Sequence, residues 1–302
     1  MHASLSRRRR PVARALPVRL ALALFAAWPL AGAAEPHWMP EGARTPAAYV
    51  VEADGRVLLG RGESVRRQPA SLAKLAAALV VAEAAHADPA LLQASTRVSA
   101  RAARAGGTRL GLRAGERLSV SSLLAAMLVG SANDACVALA ERVADSAQAF
   151  VTRMNRLAAR IGMADTRFVD PCGFDRPGQH TTALDLLALA RRALAEPLLA
   201  DRAALPSVRV ATTDGRREFV VHNTNALLGR YDGAFGLKTG FTRGAGPCLI
   251  AAAQRGSSTV VAVVLGGEDR WPVAVALLDE AFERLTGYPR VRSRSTIGEP
   301  DS

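Results

Sequence analysis

The chain has 302 residues, 49% of them hydrophobic, 22% charged and only 5% aromatic, with a formal charge of +12. Ample apolar content without a dominant short repeat excludes a disordered, collagenous or coiled-coil chain, and the length can bury one large core or two small ones. Residues 1–34 carry Arg7, Arg8, Arg9, Arg10, Arg14 and Arg19 and no acid, leaving 33 basic against 27 acidic residues spread over the remainder; that modest excess is no nucleic-acid footprint.

The first 34 residues run from this basic stretch through an uncharged segment, 20–34, to the small residues Ala31, Gly32, Ala33 and Ala34. These are the three parts of a secretory signal peptide, cleaved after Ala33 or Ala34, so the chain is expected to be exported. Its apolar run of about 15 residues falls short of the roughly 20 that a transmembrane helix needs. A Pro-containing linker, 35–46, follows. Two β-leaning segments, 47–52 and 56–59, flank Asp54 and Gly55 and read as a hairpin. Pro69 opens an Ala- and Leu-rich helix from Ser71 to about residue 85. Helical patterns then occupy 120–129, 133–143, 147–161 and 183–195, with a Pro- and Gly-rich loop at 170–180. From residue 207 the texture changes to short strands, at 208–211, 218–221, 234–241, 248–253 and 258–265, before a closing amphipathic helix at 273–285 and a polar tail at 287–302. This order predicts an α/β chain of the α+β kind: one antiparallel sheet built from both ends of residues 47–286, flanked by helices, with an all-helical insert at about 90–200.

Cys136, Cys172 and Cys248 fit no zinc spacing. At least one stays unpaired whatever the compartment, and the simplest reading makes them small buried apolar residues. The five histidines form no H-x-x-x-H pair, so neither a metal nor another cofactor is expected.

Of the 39 basic side chains only Lys74 and Lys238 are lysine. A background that uses arginine for generic positive charge makes these two informative, because a lysine ammonium can lose its proton when desolvated or crowded by another cation and a guanidinium cannot. Lys74 lies three residues after Ser71 at a helix start, on the same face, where a neutral amine could take the serine proton; the alternative is a capping serine and a solvated lysine. Lys238 heads the run Lys238, Thr239, Gly240 on a strand, a surface suited to a carboxylate and to close backbone approach; the alternative is an edge strand ending in a glycine turn. Between them, at a break between helices, Ser131 and Asn133 flank one small residue and could share a cleft or merely cap the next helix.

S-x-x-K, S-x-N and K-T-G in this order form the three-part signature of penicillin-binding proteins and serine β-lactamases. The flanks P-A-S-L-A-K (69–74), S-A-N-D-A (131–135), G-F-D-R-P-G-Q-H (173–180) and G-L-K-T-G-F-T (236–242) resemble the low-molecular-mass penicillin-binding proteins of the serine-type D-alanyl-D-alanine carboxypeptidase family, from about residue 47 to 286. The resemblance implies the β-lactamase/transpeptidase-like fold and a set of roles. Ser71 would attack the penultimate D-Ala carbonyl of a peptidoglycan stem peptide, with Lys74 as general base and Ser131 relaying a proton to the departing D-Ala. Asn133 would hold the substrate backbone, Lys238 with Thr239 would bind its terminal carboxylate beside Gly240, which lets the ligand backbone approach, and the backbone N–H groups of Ser71 and Phe241 would form the oxyanion hole. β-Lactams would act as covalent inhibitors of a monomeric enzyme in the periplasm or another wall-facing space. Cys172 stands where relatives often carry histidine; His180 is expected to brace its loop, and Arg270 either assists carboxylate binding or lies on the surface. The tail, with Arg290, Arg292 and Arg294 and little apolar surface, reads as neither a further β-domain nor an anchor. A D,D-endopeptidase, a β-lactamase of the same fold and an inactive wall-binding protein remain alternatives, although residues 144–195 contain no glutamate to serve an E-x-x-x-N deacylation loop.

Overall fold

The computed structural model describes residues 37–144 and 146–286. The signal peptide read at 1–34 and the tail at 287–302 lie outside the described residues. In chain order the elements are β1 (Ala48–Ala53), β2 (Arg56–Arg61), α1 (Ala73–Ala87), β3 (Ser95–Arg97), α2 (Ala100–Ala103), β4 (Arg117–Ser119), α3 (Val120–Val129), α4 (Asn133–Val143), α5 (Ala147–Arg160), α6 (Ala183–Leu194), α7 (Pro197–Ala203), β5 (Ser207–Ala211), β6 (Glu218–His222), β7 (Ala234–Thr242), β8 (Gly246–Arg255), β9 (Ser258–Leu265) and α8 (Arg270–Thr286).

Five strands form an antiparallel sheet in the order β2-β1-β9-β8-β7. The two ends of the domain therefore meet, with Ala48 opposite Leu265. Successive side chains of a strand face opposite sides, and β1 and β9 use both. Tyr49, Val51 and Ala53 join Val260, Ala262 and Val264 under α8, whereas Ala48 and Val50 join Val261, Val263 and Leu265 in the larger core around α1. Each fully buried Val or Leu contributes roughly 1.5–3 kcal/mol over exposure, so a strand sandwiched between two cores is strongly held. Trp38 also packs into the α8 core, edge-to-face on Tyr49 with the ring centroids 5.3 Å apart.

Helix α1 is apolar all round and accordingly buried, with α3, α4, α5 and α6 around it. Together with the 3-10 turn before it, α1 makes an 18-residue apolar stretch, 70–87, of the length of a short membrane span, yet most of it is buried as a core helix. The sequence placed 208–211 and 218–221 in the main sheet. They form instead a separate hairpin, β5–β6, whose Val210 and Val221 pack on Ala125 and Val129 of α3. Alternation identifies a strand but not its partner.

Candidate active site

Ser71 sits in a single 3-10 turn, Ala70–Leu72, immediately before α1, and Lys74 is the second residue of that helix. Leu72 is the helix N-cap and no side chain caps it, so Ser71 is not used as a cap. Lys74 is fully buried, with Nζ 2.7 Å from Ser71 Oγ and 2.7 Å from the Cys172 carbonyl oxygen that accepts its N–H. Removal from water pushes the Lys74 ammonium down to about 7, with Asp170 opposing the shift.

Ser131 occupies the break between α3 and α4 at φ 59°, and Ala70 beside Ser71 sits at φ 48°. Two non-glycine residues in the left-handed region cost about 1–2 kcal/mol each, and both flank the same cleft. Asn133 opens α4, whose N-cap is Ala132 without a side-chain cap, so the capping alternative fails here too. Asn133 Nδ2 donates to the Gly106 carbonyl at 2.7 Å, and its backbone N–H to Thr108. The fully buried Asp134 carboxylate accepts N–H bonds from Leu110, Gly111 and Leu112. The pair thereby fixes the 106–112 segment at one wall of the cleft.

The opposite wall is β7, an edge strand of the sheet. Gly240 lies against the nucleophile turn: a Cβ there would stand 3.0 Å from Ala70 Cβ and 3.1 Å from Ser71 N. Thr239 Oγ1 is 2.6 Å from Thr224 Oγ1. Lys238 is fully buried behind the strand, donating to the Thr239 carbonyl, and its ammonium is pushed well down by burial first and then by Lys74 and Arg270. Of the two causes anticipated from sequence, crowding by another cation contributes at Lys238, second to burial, whereas at Lys74 burial alone lowers the ammonium. Phe241, 63% exposed, projects at the rim. Arg270 opens α8 and is buried, its guanidinium donating to the Gly240 carbonyl and stacking on Trp271, so the surface alternative for it is set aside.

The loop at 170–180 closes the site. Asp170 Oδ1 accepts from the N–H groups of Cys172, Gly173 and Phe174; Gln179 braces the loop through Val169, Asp170 and Phe174. Asp175 ties it to β7 by accepting from Thr242 Oγ1 and Gly244 N–H. His180 exchanges backbone bonds with Arg167 and bonds the Gly178 carbonyl, away from the cleft. Cys136 and Cys172 form a disulfide, which corrects the reading of all three cysteines as buried thiols; Cys248 alone is a buried free thiol.

Ser71, Ser131, Asn133, Thr239, Gly240 and Phe241 thus line one cavity of about 500 Å³, together with Thr108, Phe174, Thr224 and Arg270, and Lys74 and Lys238 back it. Sequence reasoning did not single out Thr224, Asp170 or the carboxylate of Asp134 as parts of the site. The arrangement can activate a serine hydroxyl with an adjacent amine and receive an anionic, peptide-like ligand along a strand edge.

Residues 38–269 match the family described as D-alanyl-D-alanine carboxypeptidase. The chain is 32% identical over 257 residues to D-alanyl-D-alanine carboxypeptidase DacF of Bacillus subtilis, covering 83% of this chain and 66% of that protein. It is 33% identical over 255 residues to DacB2 of Mycobacterium tuberculosis, covering 81% and 84% respectively. Among solved structures, penicillin-binding protein D2 of Listeria monocytogenes in an ampicillin-bound form superposes with a TM-score of 0.70 at 31% identity, over 81% of this chain and all of that one. The chain therefore spans slightly under two thirds of the Bacillus relative and most of the mycobacterial one.

Proposed function

Because the chain belongs to the D-alanyl-D-alanine carboxypeptidase family, we propose that it hydrolyses the terminal D-Ala-D-Ala bond of peptidoglycan stem peptides through an acyl-enzyme on Ser71, and that β-lactams acylate the same serine. The observation that carries this reading is the 2.7 Å approach of a buried Lys74 amine, with its proton affinity lowered to about 7, to the Ser71 hydroxyl.

In the first half-reaction Ser71 Oγ adds to the penultimate D-Ala carbonyl as its proton passes to neutral Lys74 Nζ. The oxyanion that forms accepts from the backbone N–H groups of Ser71 and Phe241. Collapse of this intermediate breaks the C–N bond, and Ser131 relays to the leaving D-Ala nitrogen the proton that Lys74 took from Ser71. Water then attacks the ester, giving up one proton and releasing the shortened peptide and the serine hydroxyl. Asn133 and the β7 edge hold the peptide backbone. Thr239, Lys238 and Arg270 receive the terminal carboxylate, whose negative charge beside Lys238 raises that group's proton affinity against the cost of burial. The enzyme acts as an exported monomer in the periplasm or facing the wall, which fractionation and sedimentation check.

The test is incubation with labelled penicillin, peptide mapping, and assay on a D-Ala-D-Ala pentapeptide. A stable label on Ser71 with release of one D-Ala supports the reading. Rapid loss of label with antibiotic hydrolysis identifies a β-lactamase, release of monomers from a cross-linked dimer alone an endopeptidase, and no label a binding protein.

A further inference from the structure

The acyl-enzyme reading leaves one covalent feature without a role. Cys136, three residues after Asn133 on α4, is bonded to Cys172, whose Cα lies 5.9 Å from its own across 36 residues of chain. Both are buried against the back of the cleft. Cys172 is also the residue whose carbonyl accepts the Lys74 N–H at 2.7 Å.

A carbonyl oxygen only accepts, so this contact decides which way a neutral Lys74 amine points: one N–H is committed to Cys172, and the lone pair is left for the Ser71 hydroxyl. The carbonyl belongs to the peptide unit between Cys172 and Gly173, and Gly173, at φ 88°, offers little intrinsic resistance to rotation of that unit. Two restraints hold the unit. Asp170 Oδ1 grips its N–H from Gly173, and the disulfide pins the Cys172 Cα to α4. The bond therefore runs between the helix that carries Asn133 and the acceptor that aims the base.

We propose that the Cys136–Cys172 disulfide is a positioning device for acylation, locking the Cys172 carbonyl onto Lys74 so that its amine faces Ser71. This rests on the acyl-enzyme reading above. Asp170 opposes the Lys74 shift, and Lys74 and Arg270 both bear on Lys238; removing the bond deletes none of these charges, and Asp170 shares the loop through the Cys172 and Gly173 N–H groups, so a changed pH response reports how the loop and the amine are placed.

The experiment measures the rate of Ser71 acylation by benzylpenicillin against pH for the oxidised wild type and for the Cys136→Ser/Cys172→Ser double variant, with thermal unfolding followed in parallel. The expected result is a folded variant that labels Ser71 at least tenfold more slowly, with the midpoint of its pH profile moved upward as the loosened amine rehydrates. A variant with a lower Tm but a rate and midpoint within twofold of wild type overturns the proposal and leaves a mere staple. Should the variant not fold, the same profile is taken on wild type reduced by a phosphine, which gives up two electrons to yield two thiols. Slower acylation by a folded reduced form supports the proposal; an unchanged rate, or unfolding on reduction, overturns it. Failure of the oxidised wild type to label Ser71 at all overturns the acyl-enzyme reading itself, and this inference with it.

Discussion

Gly173 lies so close to Ala70 that a Cβ on it would stand 1.9 Å from the Ala70 carbonyl oxygen. The 170–180 loop is thus a mould for the turn that presents Ser71, and the absence of a side chain at 173 is a condition of that fit. Gly173→Ala is expected to displace the turn and reduce penicillin acylation at least a hundredfold. Gly178→Ala is the control: it shares a positive φ of 79° but meets nothing within 4 Å, so it brings only about 1 kcal/mol of backbone strain and leaves acylation within a fewfold of wild type. Equal loss in both variants would contradict the mould.

The Lys74 amine sets the pH dependence. Protonation below about 7 removes the lone pair that takes the Ser71 proton, so acylation should fall about tenfold per unit below that pH and level off above it. A profile flat from pH 5 to 9 would remove Lys74 as the base. Lys74→Arg should abolish acylation, since a guanidinium stays protonated, whereas Lys238→Arg should keep part of it by preserving a cation.

Thr224 touches the K-T-G strand through the 2.6 Å hydroxyl contact with Thr239. Thr224→Val leaves Thr239 without that partner, and the expected effect is a severalfold rise in KM for a peptide with a free terminal carboxylate and little change in kcat. Arg270→Gln, beside the same strand, should raise KM more, because it removes a charge. An amidated peptide should be insensitive to both substitutions; equal sensitivity would place these residues outside carboxylate binding.

Asp134 meets no substrate in this scheme, yet it holds three consecutive N–H groups of the cleft wall. Asp134→Ala orphans them at a cost of about 1–3 kcal/mol, seen as a lower Tm, and should lower kcat/KM as Thr108 and the Asn133 contact to Gly106 loosen. An unchanged Tm would show that water replaces the carboxylate.

Much of this site is legible in the chain because its chemistry demands residue types that the background avoids. Lys74 and Lys238 stand out among arginines, and the glycine of K-T-G lies where a Cβ would meet Ser71 N. The same reading finds the main sheet from the turn after β1 and the short apolar runs of β8 and β9, which are buried on both faces. It does not find what depends on approach through space. Cys136 and Cys172 carry no spacing signal, and only the fold brings their Cα atoms to 5.9 Å. The carbonyl that accepts from Lys74 is 98 residues away in sequence and has no side-chain identity to read. Thr224 looks like any polar residue after a strand, and β5–β6 have the alternation of sheet members but turn their buried side to α3.

The pairing of Ala48 with Leu265 has a consequence for biosynthesis. A ribosome delivers β1 near the start, with β2 as its only neighbour, and its inner neighbour β9 arrives after every other strand. Such long-range closure is slow and collective. Until residue 258 has emerged, the nascent polypeptide holds an unmatched strand edge, vulnerable to aggregation and suited to chaperone capture. Ser71 therefore lacks its full cavity until β7 and Arg270, which line it, have been made and have joined it.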